Sequence, residues 1–442
     1  MVSFLKHYIR GGSVKSLWQN GIVMPRFEPL ERDCKTDVLI IGGGIAGLLT
    51  AFFLQKRNID YILVEKNTLC TGVSGNTTAK ITFQHGLIYN KLLKKHGLVL
   101  AKAYLDANRN ALEKCRELSR DIDCDYQEKS NFVYSLNNRP KIEKELEALE
   151  KIGYTAKLCE KLPLPFDTVG AVEFKNQAQF HPLKFLSQIS KGLNIFENTF
   201  VKEMIGNTAV TDGGKIEAKN VVVATHFPFI NKHGLYSLKL YQHRSYAIAL
   251  ENAPDVGGMY VDESKSGMSF RNYSDLLIVG GGDHRTGKQG GNWQELRDFA
   301  RVKYPNSREK FHWAAQDCMT LDEIPYIGKY SKHTDRLFVA SGFNKWGMTG
   351  AMAAAEILCD LIEEKDNELA KLFDPSRNML TPQLALNGFE SVVNLLSLST
   401  KRCPHLGCAL KWNEAEHSWD CPCPGTRIDE KGRILDNPAN GK

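Results

Sequence analysis

The chain has 442 residues, of which 42% are hydrophobic and 24% are charged, and its formal net charge is +6. This length accommodates two domains and an appendage, and the composition is that of a soluble globular protein. Because lysines and arginines alternate with acidic residues, the sequence predicts no nucleic-acid partner. Apolar runs stay below the roughly 18 residues that indicate a membrane span, and the N-terminus is too short and too charged for a secretory signal. We therefore expect a cytoplasmic protein without a membrane span.

The first part of the chain divides into an arm and a strand–turn–helix unit. Residues 1–33 show no strong periodicity and are predicted to form an N-terminal arm, anchored by Trp18 and Phe27. In residues 36–54 a β-branched and aliphatic run enters a G-x-G-x-x-G segment, after which the apolar spacing becomes helical. This pattern predicts a strand, a tight turn and a helix.

The glycine turn has the residue types that a dinucleotide phosphate requires. Gly42 permits the turn, Gly44 admits a pyrophosphate close to the backbone, and Gly47 lets helix and strand pack closely. Ile45 and Ala46 begin the helix, where free N–H groups and the positive end of the helix dipole face the phosphates.

The next strand and loop extend this prediction along the chain. The strand predicted at residues 61–65 ends at Glu65, 18 residues beyond Gly47, where a carboxylate can accept hydrogen bonds from a ribose. The cofactor should therefore lack a 2′-phosphate; the alternative is an ordinary βαβ unit with a surface acid. Residues 70–85 are rich in small and hydroxyl side chains and can run against a flat ligand, the alternative being a plain loop. The ligand-facing candidates of this loop are Ser74, Gly75, Thr77 and Thr78.

Helices and strands alternate over the middle of the chain. Helices are predicted over residues 91–123 and 140–152, and strands over 131–135, 194–198, 215–218 and 220–226. Strands that return as Val-rich runs between helices predict a parallel sheet. From residue 241 to 282 the period changes to two, which predicts an antiparallel sheet in a second domain. Residues 337–352 then repeat strand, glycine turn and helix.

Together these blocks resemble the D-amino-acid oxidase and glycine oxidase superfamily of FAD-dependent oxidoreductases, within it the bacterial branch with a C-terminal Rieske domain. The resemblance spans roughly residues 16–377 and includes the glycine motif with Glu65 and the segments 77–80, 181–183, 223–225, 322–328 and 342–349. It implies an α/β plus α+β fold: a Rossmann-like FAD-binding domain, an antiparallel-sheet substrate domain and a small all-β Rieske-like remnant. The expected boundaries are 1–33 for the arm, 34–90 with 170–228 and 310–377 for the FAD-binding domain, 91–169 with 229–309 for the substrate domain, and 378–442 for the truncated Rieske-like region.

The same resemblance implies where FAD lies and what it does. The pyrophosphate is expected over the first glycine turn and residues 74–78 along the flavin edge. Enzymes of this superfamily mostly oxidise an amine carbon by hydride transfer to flavin N5. We therefore expect an amine or amino-acid-like donor, with electrons passing to oxygen or to a one-electron electron-transfer partner. Residues 345–349 are expected near the pyrimidine end of the ring. The cofactor-binding candidates of this second turn are Gly342, Trp346, Gly347, Met348 and Thr349.

Three side chains are candidates for catalysis. Arg271, on a strand of the second domain, could bind a substrate carboxylate in a bidentate manner; the alternative is a surface arginine at a sheet edge. Lys80 and Lys345, together with His85, are candidates for the ring neighbourhood, where a cationic lysine would favour the reduced anionic flavin. The alternative for each lysine is a solvent-facing side chain.

The C-terminal cysteines resemble the two cluster-binding loops of a Rieske [2Fe-2S] protein. In that family one iron takes two thiolates and the other takes two imidazoles. The match implies Cys403, His405 and Cys421 as ligands, but the second imidazole should fall at residue 424, which is Pro424. Only about 25 residues separate the flavoprotein body from the first loop, so the region is also expected to be truncated.

Three interpretations of this region stay open. It is a metal-free remnant, an altered [2Fe-2S] centre with a substitute fourth ligand, or a tetrahedral zinc site. In the metal-free case, Cys408 and Cys423 occupy the disulfide positions of the family and could pair. The candidate metal ligands are Cys403, His405, Cys421 and Cys423, with Cys408, His417 or water as substitutes.

Two other functions compete with the oxidase-like one. An NAD(P)H-dependent flavin reductase needs a second dinucleotide fingerprint, and residues 280–285 form a poor one because no apolar helix follows. The other rival is a flavin- or metal-binding protein that lacks turnover and uses its C-terminal loops for docking.

Overall fold

The computed structural model describes residues 15–230, 233–264, 267–378, 380–397, 401–405, 407–423 and 425–436. Pro424 and residues 1–14 of the predicted arm lie outside the described residues. The α-helices of the described part are α1 (Ile45–Lys56), α2 (Tyr89–Ser119), α3 (Arg139–Ile152), α4 (Pro182–Ile189), α5 (Tyr236–Lys239), α6 (Asn292–Lys303), α7 (Gly347–Ile362), α8 (Ala370–Phe373) and α9 (Pro382–Leu396). The strands are β1 (Cys34–Ile41), β2 (Tyr61–Val64), β3 (Lys80–Ile81), β4 (Gln127–Ser135), β5 (Lys157–Cys159), β6 (Gly170–Gln179), β7 (Ile195–Phe196), β8 (Glu203–Ile205), β9 (Thr208–Val210), β10 (Lys215–Val223), β11 (Leu240–Glu251), β12 (Met259–Asp262), β13 (Ser269–Tyr273), β14 (Leu276–Arg285), β15 (Arg308–Thr320), β16 (Tyr326–Lys329), β17 (Leu337–Ser341), β18 (Lys411–Asn413), β19 (Ser418–Asp420), β20 (Arg427–Asp429) and β21 (Ile434–Asp436).

The first sheet is built on parallel strands, as the alternation of helices and strands predicts. Its order is β16-β17-β10-β1-β2-β7, in which the neighbours from β17 to β7 pair in parallel and β16 joins antiparallel. Helices α1 and α7 pack against each other beside this sheet. The register brings the carboxyl ends of β1, β2, β10 and β17 to one edge. In open α/β sheets ligands bind at this edge.

The second sheet has the order β15-β11-β14-β13-β12-β4-β6-β3. The pairs that involve β11, β13, β14 and β15 are antiparallel, which confirms the period-two prediction, whereas β12 and β4 pair in parallel. This parallel pair joins segments far apart in the chain, so periodicity could not predict it. By sheet membership β3, β6 and β15 belong here, although the predicted boundaries place their segments in the FAD-binding domain.

One predicted helix is interrupted in the structure, and two predicted strands are joined into one. The long helix predicted over residues 91–123 is α2, and Gly97 interrupts it with a φ of 77°. The strands predicted at 215–218 and 220–226 form the single strand β10, in which alternating exposure gives way to full burial. Pro140 lies in the first turn of α3, where a missing N–H costs nothing.

The C-terminal region forms α9 and a small antiparallel sheet, β18-β19-β20-β21. Its cysteines, Leu410 and Ile428 make a separate small core. No helix of the described residues is long and apolar enough to cross a bilayer.

Candidate active site

The first glycine turn leads from β1 into α1 and is packed too tightly for side chains. Gly42 has a φ of +116°, and a Cβ there would lie 2.6 Å from the carbonyl oxygen of Ala224. A Cβ on Gly47 would lie 1.9 Å from the carbonyl oxygen of Gly42, and one on Gly44 would lie 3.1 Å from Ser74 Oγ. Gly44 caps α1 without a side-chain hydrogen bond, and the first turn has no acidic residue. The N-terminal end of α1 is therefore open to an anion, which fits a dinucleotide pyrophosphate.

Glu65 follows β2 at the same edge and holds the turn. Its Oε2 accepts a hydrogen bond from the Gly43 N–H at 2.7 Å, and its Oε1 accepts one from the Asn67 N–H at 2.9 Å. Because a carboxylate has about four acceptor sites, two remain for ribose hydroxyls. The geometry thus suits the predicted ribose contact.

The loop of residues 70–79 is fixed from two sides. Ser74 Oγ accepts a hydrogen bond from the Ile45 N–H at 2.9 Å, which ties this loop to the first residue of α1. Trp18 Nε1 donates to the carbonyl oxygen of Thr77 at 2.6 Å, and Trp18 is 0% exposed. The predicted anchoring role of Trp18 is confirmed, and what it anchors is this loop.

A second helix N-terminus opens toward the same crevice. Asn344 and Lys345, which precede α7, have φ values of 50° and 73°. The Asn344 side chain holds this strained turn by accepting a hydrogen bond from the Thr320 N–H at 2.8 Å. Trp346 gives α7 no side-chain cap and stacks on His85 with a centroid distance of 5.1 Å. Burial lowers the pKa of His85 to about 3, so this ring is neutral.

One cavity of about 2340 Å³ connects both helix starts with the second sheet. It exceeds the roughly 300–1,000 Å³ of ordinary ligand pockets, as a site for an extended dinucleotide plus a substrate should. The predicted residues that line it are Gly42, Gly44, Ile45, Ala46, Glu65, Ser74, Thr77, Thr78, Lys80, Lys345, Trp346, Gly347 and Met348. The predicted residues outside the lining are Gly47, Gly75, Gly342, Thr349 and Arg271.

Four of the residues outside the lining pack behind the cavity wall and support it. A Cβ on Gly75 would lie 2.4 Å from the carbonyl oxygen of Cys70, and Gly342 has a φ of +72°. Thr349 Oγ1 donates to the carbonyl oxygen of Thr82 at 3.0 Å. With Gly47, these residues support the cavity rather than face its contents.

Arg271 requires a correction, because it does not reach the cavity. It is 0% exposed, its Nη1 donates to the carbonyl oxygen of Ala79 at 2.6 Å, and its guanidinium lies 5.2 Å from the centroid of the Trp18 ring. Burial lowers its pKa to about 9. The period-two pattern located the strand of Arg271 but did not show which face of the sheet this side chain occupies. Arg271 is therefore neither a carboxylate anchor in the cavity nor a surface arginine.

Lys80 begins β3 of the second sheet and lies on the cavity wall. Its Nζ donates to Thr78 Oγ1 at 3.2 Å and to Ser269 Oγ at 3.3 Å. Burial, with a smaller contribution from Arg271, lowers the pKa of Lys80 to about 7. A buried amine that is partly neutral at physiological pH can accept a proton from a ligand.

The sequence analysis missed two carboxylates on the same wall. Asp283 forms an ion pair with Lys345, and Asp317 accepts a hydrogen bond from Ser245 Oγ at 2.6 Å. Burial raises the pKa of Asp283, although Lys345 acts to lower it. Burial acts to lower the pKa of Lys345, but Asp283 and Asp317 outweigh it and raise that pKa. The available signal was the alternation of β15, on which Asp317 shares a face with Ala315.

The C-terminal region docks on β11 of the second sheet, and the residues at this contact also line the cavity. Arg244 Nε donates to Glu416 Oε1 at 2.9 Å, and its Nη2 bonds the other oxygen. Arg427 Nη2 lies 2.8 Å from Glu416 Oε2, and Tyr246 donates to Oε1 at 3.0 Å. Burial acts to raise the pKa of Glu416, but Arg244 and Arg427 hold it down at about 2. A charged cluster therefore fastens the small sheet to β11.

Replacing Glu416 with glutamine should lower the free energy of unfolding by about 3–5 kcal/mol, because the buried Arg244 loses its nearest carboxylate and Arg427 loses one of its three. The Glu416 pKa lies below its ordinary 4.5 in the folded protein. This stabilisation is therefore present above about pH 4.5 and is lost as the pH falls toward 2. Urea titration at pH 7 and at pH 3 measures both effects. The control Glu430→Gln, whose carboxylate is 63% exposed, should change stability by less than about 1 kcal/mol; equal losses in both variants would contradict the assignment.

The C-terminal cysteines do not fit a two-thiolate, two-imidazole centre. The Sγ atoms of Cys408, Cys421 and Cys423 lie within 4.8 Å of one another, and none of the eleven cysteines, all of which the structure describes, is in a disulfide. Cys403 belongs to the same small core as these three cysteines. Position 424, which would have to supply a second imidazole beside His405, is proline. A thiolate-bound metal is compatible with this cluster; a standard Rieske centre is not.

The fold and the cavity define a class before any relative is considered. Two open helix N-termini at the carboxyl edge of a Rossmann-like sheet, covered by an antiparallel sheet, are the arrangement of a two-domain flavin-dependent oxidoreductase. FAD fits the open α1 terminus, the spare acceptors of Glu65 and the length of the cavity.

Comparison with known proteins assigns the family. The model of the FAD dependent oxidoreductase (DAO) family matches residues 37–361, and the chain belongs to this family. A putative Rieske 2Fe-2S iron-sulfur protein of Bacillus subtilis strain 168 is 33% identical, with 96% of each chain covered. Glycine oxidase from Geobacillus kaustophilus superposes with a TM-score of 0.64 at 21% identity, over 78% of this chain and 99% of that one. L-proline dehydrogenase from P. horikoshii has a TM-score of 0.65 at 18% identity, over 78% and 98%.

These findings confirm the predicted family, fold class and cofactor. The protein is an FAD-dependent oxidoreductase with a mixed α/β body and a separate small C-terminal β-sheet. The solved structures show a common fold, since both are below 25% identity.

Proposed function

We propose that the protein oxidises the carbon–nitrogen bond of an amine donor. One observation carries the proposal: Lys80 and Asp283 stand at the two ends of a strip of bare backbone on the cavity wall. Gly280 and Gly281 of β14 line the cavity without side chains. Gly280 pairs with Ser269, the partner of Lys80, and Asp283 follows three residues later, about 10 Å along the strand.

Lys80 is suited to prepare the donor. An alkylammonium carries no free lone pair on nitrogen, so it must lose a proton before hydride can leave the adjacent carbon. Lys80 Nζ, whose pKa is about 7, can accept that proton. Bound FAD would supply the acceptor for the hydride.

Asp283 is suited to hold the donor nitrogen. Lys345 occupies its Oδ2, and its buried Oδ1 has no hydrogen-bond partner among the described residues. An unsatisfied buried carboxylate oxygen is costly, and an N–H group of the donor would satisfy it. The strip between Asp283 and Lys80 then fixes the orientation of the donor.

The charges on the wall favour an amine over an α-amino acid. Each arginine that lines the cavity in the described part of the chain is ion-paired with a carboxylate, and Arg271 lies outside the cavity. The pairs are Arg244–Glu416, Arg297–Glu309, Arg427–Asp420 and Arg433–Asp429. A donor carboxylate that bound an arginine would have to displace one of these partners.

Oxygen and a one-electron carrier are the two acceptor classes that suit this chemistry. A standard Rieske centre would support a one-electron carrier, but the proline at position 424 removes that support. The eleven cysteines, all of them described, form no disulfide, which supports a reducing, cytoplasmic location.

Replacing Asp283 with asparagine should lower kcat/KM for the amine by about tenfold to hundredfold, the effect of losing a hydrogen bond to a charged group. Steady-state kinetics measures the change, which we expect mainly in KM. Asp298→Asn is the control, because Asp298 pairs with Arg301 on the exposed side of α6. If the Asp283→Asn variant kept the KM of the wild type, the result would show that Asp283 does not bind the donor.

Anaerobic mixing of the FAD-loaded protein with single donors tests the function. Primary and secondary amines should bleach the visible flavin absorbance, and their α-carboxylated counterparts should do so more weakly. Bleaching by NADH and by no amine would instead establish the reductase, and inertness to every donor the non-catalytic protein. The structure gives no support to the reductase fingerprint, since residues 280–285 lie within β14 rather than at a strand-to-helix turn.

A further inference from the structure

The thiols of the C-terminal region converge from two loops. Cys408 lies in the first loop, and Cys421 and Cys423 lie in the second, with their Sγ atoms within 4.8 Å of one another. Cys403 belongs to the same small core and is hydrogen-bonded through its N–H to Cys408, so a fourth thiol lies beside this trio. All four cysteines are buried, at 0–4% exposure.

The backbone of each loop supports this convergence. The Cys403 N–H donates to the carbonyl oxygen of Cys408 at 2.8 Å, which closes the first loop. The Cys421 N–H donates to the carbonyl oxygen of Thr426 at 2.8 Å, which closes the second. Two closed turns that present paired thiols to one point are the usual form of a structural zinc site.

The spacing favours one metal ion over a binuclear cluster. Around a single tetrahedral ion with Zn–S bonds of about 2.3 Å, ligand sulfurs stand about 3.8 Å apart. A [2Fe-2S] cluster spreads its terminal ligands over two irons, so three thiolates could not share one compact group. The observed trio is compact, and it includes Cys408 and Cys423, which the Rieske pattern reserves for a disulfide.

We propose that the chain binds one Zn²⁺ through the four thiolates of Cys403, Cys408, Cys421 and Cys423. The thiols release their protons to solvent as the metal binds, and no oxidant or reductant is needed. His405 is not a ligand in this arrangement.

The site would fix the small sheet where it meets the substrate domain. Arg285 Nε donates to the carbonyl oxygen of Pro422 at 3.2 Å, and Gln316 Nε2 donates to that of Gly425 at 2.9 Å. A Cβ on Gly287 would lie 2.6 Å from the Pro422 nitrogen, so the second loop is pressed against the end of β14. A sheet of four short strands has little core of its own, and a metal cross-link compensates for that.

Metal analysis of the full chain, purified without chelator, tests the proposal. We expect one zinc per chain in the wild type, its loss in Cys421→Ser, and its retention in His405→Asn. Cys34→Ser is the matched control, because Cys34 is a half-exposed thiol in β1 that should leave the zinc in place.

Cobalt replacement of the wild-type metal provides a measurement that needs no folded variant. Thiolate-to-cobalt charge-transfer absorption with a tetrahedral pattern is the expected result. Two irons with two sulfides, a metal-free protein that retains no added zinc, or zinc that depends on His405 would each overturn the proposal.

Discussion

Replacing Lys80 with methionine should lower kcat/KM for the amine by about 10²- to 10⁴-fold, the usual contribution of a positioned proton acceptor. Methionine keeps the length and apolar stem of the side chain, so the cavity wall stays intact. The pKa of Lys80 is about 7, and the amine is the proton-accepting form. Wild-type kcat/KM should therefore rise with pH through about 7 and level off above it. In the variant this rise near pH 7 should be absent. A pH profile of steady-state rates measures both effects.

The control for this variant is Lys35→Met. Lys35 is 79% exposed on β1 and pairs with Glu217, so its loss should leave the rate and the pH profile unchanged. If the Lys80→Met protein kept the wild-type rate and the rise of kcat/KM near pH 7, another group would be the proton acceptor.

Replacing Gly47 with alanine should remove FAD from the purified protein almost completely. The new methyl group would lie 1.9 Å from the carbonyl oxygen of Gly42, a backbone atom that no change of side-chain rotamer can move away. Helix α1 must therefore move away from β1, which displaces the N–H groups that face the pyrophosphate. The flavin-to-protein absorbance ratio after gel filtration measures the loss.

Gly388→Ala is the matched control for this glycine. A Cβ on Gly388 of α9 has nothing within 4 Å, so the protein should stay yellow, and the helix should gain up to about 1 kcal/mol in stability. A Gly47→Ala protein with a full complement of FAD would mean that the close approach of α1 and β1 is not what holds the dinucleotide.

The elements around the flavin could be predicted because their signals are local. The G-x-G-x-x-G, Glu65 and the second glycine turn each carry their meaning within one strand–turn–helix unit, and the structure brings them to a single sheet edge. The anchoring of Trp18 also followed from its place in a segment without periodicity of its own.

The donor side could not be predicted to the same depth, because its groups meet only after two sheets have packed. Asp283 and Lys345 come from separate segments, and no spacing rule links them. Arg271 shows the limit of periodicity: alternation identifies a strand, but which face covers the cavity depends on the neighbouring sheet. The ion pair between Arg244 and Glu416 likewise depends on how the C-terminal region docks.

The C-terminal region shows how a change at one position alters what a motif predicts. Cys403, His405 and Cys421 follow the Rieske spacing, and they suggest a two-iron centre as long as position 424 is ignored. Proline there removes the second imidazole, and the structure instead groups the cysteines that the motif treats as a disulfide. The ligand set must therefore be judged from the sulfur positions and not from the spacing alone.

The flavin content of the wild-type protein tests the central claim most directly, because the proposed oxidation depends on FAD in the crevice between α1 and α7. We predict one FAD per chain, identified by absorbance and by the nucleotide released on denaturation. A colourless protein that takes up no FAD on reconstitution would contradict the account.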